Sequence, residues 1–283
     1  MITTTYKHRQ WVNHAAFAAT GFCALLTLSV LFFILGYVLV HGLSSLSWDF
    51  FTKLPKPVGE TGGGMANAIV GTFKLIGLAS VVGLPVGIMG GIYLAEYGKH
   101  NTVGFLVRYA ADIINGVPSI VMGIFAYTVV VLPMKHFSAL AGGVALGIML
   151  IPIAVRSTEE FLRLVPMAIR ESALALGLPQ WKVILQVVIP TAMKGLLTGV
   201  LLDLSRVSGE TAPLLFTAFG NRFWSVGWLN PIASLPVMIF TYAVSPYEDW
   251  HRQAWAAALV LLGIVLLTNA SARLLMRKQV ATV

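Results

Sequence analysis

Apolar residues in this chain come in runs too long for a soluble core. No charge interrupts Ala15 to Val40, and only Lys74 interrupts Ala66 to Ala95. Ile113 to Met134, Phe137 to Val155 and Gln253 to Ala272 are again free of Asp, Glu, Lys and Arg. Gly195 to Phe219 is apolar but holds Asp203, Arg206 and Glu210. A helix needs about 20 apolar residues to cross a bilayer. The pattern therefore predicts six membrane-spanning helices, at about 19–40, 66–95, 113–134, 137–155, 195–219 and 253–272. A further stretch, Phe223 to Tyr247, is uncharged and by length alone would be a seventh span, but it carries Gly227, Asn230, Pro231, Pro236 and Pro246. Backbone freed by such residues has no partner in lipid, so a re-entrant or interfacial segment is expected there.

Composition agrees. Apolar residues make up 57% and charged residues 11% of the 283, with a mean hydropathy of +0.83. Soluble domains carry about 25% charged residues, so a soluble enzyme is excluded. The expectation is an all-α polytopic protein with one membrane domain over residues 1–283 and no separate soluble domain. The basic start, Met1 to Gln10, leads into a run too long for the core of a signal peptide, which fits a retained first helix.

The net charge of +8 is read as topogenic rather than as a nucleic-acid footprint. With six spans, one side holds Lys7, Arg9, Lys99, Arg108, Arg156, Arg163, Arg170, Lys182, Lys194, Arg273, Arg277 and Lys278. The other holds Lys53, Lys56, Lys135, Arg222 and Arg252. The richer side is expected to be cytoplasmic and to carry both termini. Cys23 is the single cysteine, so neither an internal disulfide nor a zinc cluster is expected. The six histidines, His100 among them, show no metal-ligand spacing, and no catalytic constellation is visible.

The longest cytoplasmic connection contains 165–190. Pro166 suits a first helical turn, Met167 to Leu176 are good helix formers, and Gly177 followed by Pro179 suits a left-handed stop. A second helix is expected from Gln180 to Ile189, ending at Pro190. By spacing alone, this grammar suits either an amphipathic connector or a docking element. The stretch resembles the EAA loop of ABC-importer permeases: Glu-Ala-Ala, three residues, Gly, nine residues, Ile-x-Leu-Pro. Glu171, Ala173, Gly177 and Pro190 match it, while Ser172, Val187 and Ile189 depart conservatively. The resemblance implies a coupling helix that docks on an ATPase subunit through Arg170, Glu171, Ser172, Ala173 and Gly177. No G-x-x-x-x-G-K-[ST] occurs in the chain, so ATP and magnesium are expected on that partner and no cofactor here.

Charges at 203, 206 and 210 are costly in a span, at about 2.5–3.5 kcal/mol each at a helix centre. Their i, i+3 and i, i+4 spacing would let them share a face and pair. They could be a self-neutralised cluster holding helices together, or a polar lining on a transport route. The words around them, Ser205 to Ala218, resemble the PstA-type permeases of phosphate importers. So do FFTKLPKP from Phe50, AIVGT from Ala68 and GIYLAEYG from Gly91. The likeness covers roughly residues 45–275. It implies a multi-pass protein of the bacterial inner membrane that moves phosphate by alternating access. It also implies a PstC-like permease, a PstB-like ATPase dimer and a PstS-like external phosphate-binding protein as partners, besides membrane lipid. Arg206, whose planar fork matches phosphate oxygens, is then the first candidate for the anion path. Glu210 would hold its guanidinium, and Thr211, Ser205 and Ser208 would add hydroxyls. Lys74 is either a second phosphate contact or a lysine snorkelling outward. A permease for molybdate or sulfate is the alternative within the class. An ion-driven carrier is the alternative outside it, and has no use for an EAA-like loop.

Overall fold

The computed structural model describes residues 2–60, 62–99 and 101–278; His100 lies outside them. Its elements are α1 (Ile2–Ser45), α2 (Trp48–Thr52), α3 (Ala66–Glu96), α4 (Thr102–Gly116), α5 (Ser119–Met134), α6 (Ala139–Arg163), α7 (Met167–Ala175), α8 (Gln180–Ser208), α9 (Ala212–Thr217), α10 (Leu235–Ala243) and α11 (Glu248–Lys278). α1, α3, α6, α8 and α11 contain windows long and apolar enough to cross a membrane, and α4 with α5 adds a sixth if the bent pair is one span.

α3 and α6 form the centre. Gly83, Gly87 and Gly91 recur every four residues, so one stripe of α3 has no side chains. α6 fills it: a Cβ on Gly87 would stand 2.5 Å from the Cβ of Ala154, and one on Gly91 equally close to that of Thr158. Small residues at this spacing let membrane helices approach where hydrophobic burial supplies little drive. Around the pair, three apolar clusters run from Tyr242 and Trp250, through Leu146, Leu150 and Val207, to Leu162, Val183 and Val188. α1 stands apart. It meets α11 near its end, where Tyr37 packs edge-on against Trp255 and Gly42 admits Leu259.

Three elements depart from the sequence reading. The stretch 113–134 is not one straight helix: α4 and α5 meet at 103°. Pro118 has no N–H and pushes Val117 out of the helical region, to φ −72° and ψ 132°. Pro190 does not end a helix. A wide turn over Ile184–Val188 precedes it, with the Ile189 N–H reaching back to the Ile184 carbonyl, so α8 continues to Ser208. Such π-turns absorb the hydrogen bond that proline cannot make. Finally, 195–219 is not continuous, because α8 stops at Ser208 and the chain is non-helical until α9.

The segment Phe223–Tyr247 contains only the nine-residue α10. At 1.5 Å per residue it reaches about 14 Å, half a hydrocarbon core. Its buried start is held by the Leu235 N–H donating to Thr72 Oγ1 at 2.8 Å. The loop ahead of it accepts the Ala139 and Leu140 N–H groups on the Asn230 and Trp228 carbonyls.

Candidate functional site

The two backbone breaks face each other across a cavity of about 190 Å³. Ile114, Asn115 and Val117 line it from the end of α4, Ser119 and Met122 from α5, and Met149 and Ile153 from α6. Arg206, in the last turn of α8, and Glu210, in the link after it, complete the wall. The site thus holds one cation, one carboxylate, an amide and a hydroxyl among apolar side chains.

Of the two arrangements weighed for the charged residues, a salt-bridged cluster does not form among the described residues. Asp203 is buried and turns to α6, accepting the Ser157 hydroxyl at 2.6 Å. Arg206 is exposed and makes no salt bridge or hydrogen bond with the described residues. Glu210 lies beyond the helix end, so the i, i+4 pairing assumed for an unbroken helix does not form. Both charges border the cavity instead of cancelling in a contact pair.

The other candidates lie elsewhere. Ser205 donates to the Leu201 carbonyl and to Asn269 Oδ1 of α11, and Ser208 donates to the Ser205 carbonyl. Thr211 is half-buried and starts α9, where its carbonyl accepts the Leu214 and Leu215 N–H groups. Lys74 donates to the Ser225 carbonyl at 2.9 Å, lies 5.9 Å from the Trp228 ring, and borders a separate, open apolar hollow. The structure therefore brings only Arg206 and Glu210 together. Asn115, Ser119 and Met149 were missed. The signal for the first two was present: Asn-Gly-Val-Pro-Ser interrupts an otherwise unbroken apolar run.

In the 165–190 loop, α7 ends at Ala175, within a residue of the expected stop, and Gly177 has φ +81°. Nothing lies within 4 Å of a Cβ built there, so backbone conformation alone selects glycine. Glu171 and Ser172 are exposed beside a set of exposed apolar side chains, Leu164, Met167, Leu174, Leu176 and Trp181. Arg170 and Ala173, expected at the same surface, are buried. Arg170 is no free anchor. Its guanidinium meets Glu96 at 2.8 Å and donates to the Leu162 and Val165 carbonyls.

A second buried carboxylate was also missed. Glu159, 2% exposed, accepts Arg108 at 2.6 Å, Arg156 at 3.0 Å and Arg163 at 2.6 Å. Arg108 also donates to the Leu94 and Gly98 carbonyls, and Arg156 pairs with Asp112 at 2.9 Å. Three arginines that the sequence reading assigns to topology, Arg108, Arg156 and Arg170, are thus also ties between elements.

Comparison with known proteins decides the family. The profile described as "Binding-protein-dependent transport system inner membrane component" matches residues 87–280. The chain belongs to this family of transport permeases. The permease is 48% identical to the "Phosphate transport system permease protein PstA" of Xylella fastidiosa (strain Temecula1), over 97% of this chain and 96% of that protein. It is 44% identical to the protein of the same description from Yersinia pestis, over 96% and 92%. It is 38% identical to the "Probable phosphate transport system permease protein PstA" of Methanocaldococcus jannaschii, over 87% of each. In structure it is similar to a chain of the inward-facing MetNI methionine ABC transporter, with a TM-score of 0.59, 18% identity, and coverage of 75% of this chain and 92% of that one. That likeness gives the fold of an ABC-importer permease. The permease is accordingly a multi-pass transport component, not an enzyme. The cavity and α7 fall inside the matched region, whereas Lys74 and α1 fall outside it.

Proposed function

We propose that this chain is the membrane-spanning permease subunit of an ATP-driven importer of inorganic phosphate. The observation that carries the reading is Arg206, a cation that makes no salt bridge with the described residues, in the wall of an intramembrane cavity, with Glu210 on the same wall. An unpaired charge is costly in a membrane and is retained where it meets a transient partner. Phosphate is such a partner. It would replace the missing hydrogen bonds of the guanidinium with two parallel ones. Glu210 would repel the bound anion and shorten its stay. The descriptions of the relatives support phosphate over molybdate or sulfate.

ATP would be hydrolysed, with magnesium, by a PstB-like ATPase dimer docked on Glu171, Ser172 and the apolar residues around Gly177. A PstC-like permease would complete the pathway, and a PstS-like binding protein would deliver phosphate from outside. Both termini would be cytoplasmic, which puts α7 on the ATPase side of a bacterial inner membrane. Alternating access would expose the Arg206 cavity to one side at a time.

The test is reconstitution of the complex that co-purifies with the tagged chain. Proteoliposomes supplied with ATP and the binding protein should accumulate radiolabelled phosphate. Excess sulfate or molybdate should not compete. Uptake without ATP, or stronger competition by another oxyanion than by phosphate, would overturn the reading.

A further inference from the structure

Arg170 and Glu96 are respectively 7% and 6% exposed in their side chains. Arg170 belongs to α7, Glu96 ends α3, and the carbonyls of Leu162 and Val165 close α6. One guanidinium therefore ties three elements, and its N–H groups are divided between a carboxylate and two carbonyls. Beneath it, Ala173 of α7 packs in the same apolar cluster as Ala95, Leu162, Val183 and Val188. A pair this buried cannot part without stranding two charges.

The tie continues inward. Glu159 of α6 holds Arg108 of α4, which also grips the end of α3 through the Leu94 and Gly98 carbonyls. From there α4 runs to Ile114 and Asn115, and α6 runs back to Ile153 and Met149, all in the cavity wall. Each path from ion pair to cavity is about 10 Å of helix.

We propose that Arg170 is the positioning residue that makes α7 and the inner ends of α3 and α6 one rigid body, so that displacement of the exposed face of α7 is delivered undamped to the cavity. This rests on the transport reading above. α7 is then a lever fastened at Arg170, and Gly177 is where the chain turns back into α8. The loop exposes Glu171 and Ser172 while spending Arg170 inside. That division is what a lever requires: a contact face outward and an anchor inward.

The test uses the assembled transporter with Cys23 replaced. Spin labels at Ala168 and at Val86, exposed on α7 and α3, report their separation with and without a non-hydrolysable ATP analogue. The separation should hold to within about 1–2 Å while the cavity changes access, as in rigid-body switching. In the double variant Arg170→Met with Glu96→Leu, which strands no charge, the distance distribution should broaden. Phosphate moved per ATP hydrolysed should fall about tenfold, while ATP hydrolysis persists. A wild-type separation that shifts by several times that tolerance, or a double variant with unchanged phosphate per ATP, would overturn the proposal. If the double variant does not assemble, the wild-type distances decide. If the wild-type complex shows no ATP-driven uptake, the transport reading fails, and the same distances still judge whether α7 is rigidly tied.

Discussion

Charged residues in this permease divide by whether protein groups satisfy them. Glu159, Glu96 and Arg170 are held by ions or carbonyls with their side chains buried, and Arg108 is held in the same way in a half-buried position. Arg206 is not held in this way. The first group keeps the helices in register, and its members should be sensitive to loss of charge. Glu159→Gln leaves three arginines around a neutral side chain. Removing one partner of a buried ion pair costs about 3–5 kcal/mol. Complex abundance in membranes and its melting temperature in detergent should both drop. Wild-type values for both would show that the three-arginine hub does not stabilise the fold.

Within the elements, proline shows why runs were easier to read than breaks. Pro85 lies inside α3 and Pro152 inside α6. Pro190 is carried by a π-turn, while Pro118 stands at a bend of 103° between α4 and α5. The residue is the same in each case. What differs is whether packed neighbours and an adjusted turn can satisfy the freed carbonyl, and no local sequence states that. Spans were legible because lipid forbids charge along a whole run. Asn115 and Ser119 escaped because their role depends on α4 and α5 closing on α6 and α8. Arg170 was misread as an outward anchor because its partner, Glu96, is distant in sequence and meets it only after folding. Gly177 was legible, since a positive φ is a local demand. Gly177→Val should strain that turn by about 1–2 kcal/mol and misdirect α7. The chain should still insert, and ATP-coupled uptake should fall. Normal uptake would remove α7 from the coupling path.

At the scale of the molecule, the charge asymmetry has two uses. Arg108, Arg156 and Arg170 count toward the side with more Lys and Arg, and the same three fasten the ends of α3, α4, α6 and α7 to one another. If the richer side is cytoplasmic, the residues that set orientation are also the ones that tie these elements together. If both termini are cytoplasmic, a cysteine placed after Lys278 in a background without Cys23 should resist impermeant maleimide in intact cells and react after lysis. Labelling in intact cells would invert the topology. The remaining question is whether the cavity between these helices is the anion's route. It is settled by measuring phosphate uptake and complex abundance on the same membranes for Arg206→Gln, Arg206→Lys and the neutral double variant Arg206→Gln with Glu210→Gln. If Arg206 takes phosphate through its fork, all three should assemble in normal amount. Arg206→Gln and the double variant should lose uptake, and Arg206→Lys should not restore it. If instead the double variant transports at the wild-type rate, Arg206 is not on the phosphate path.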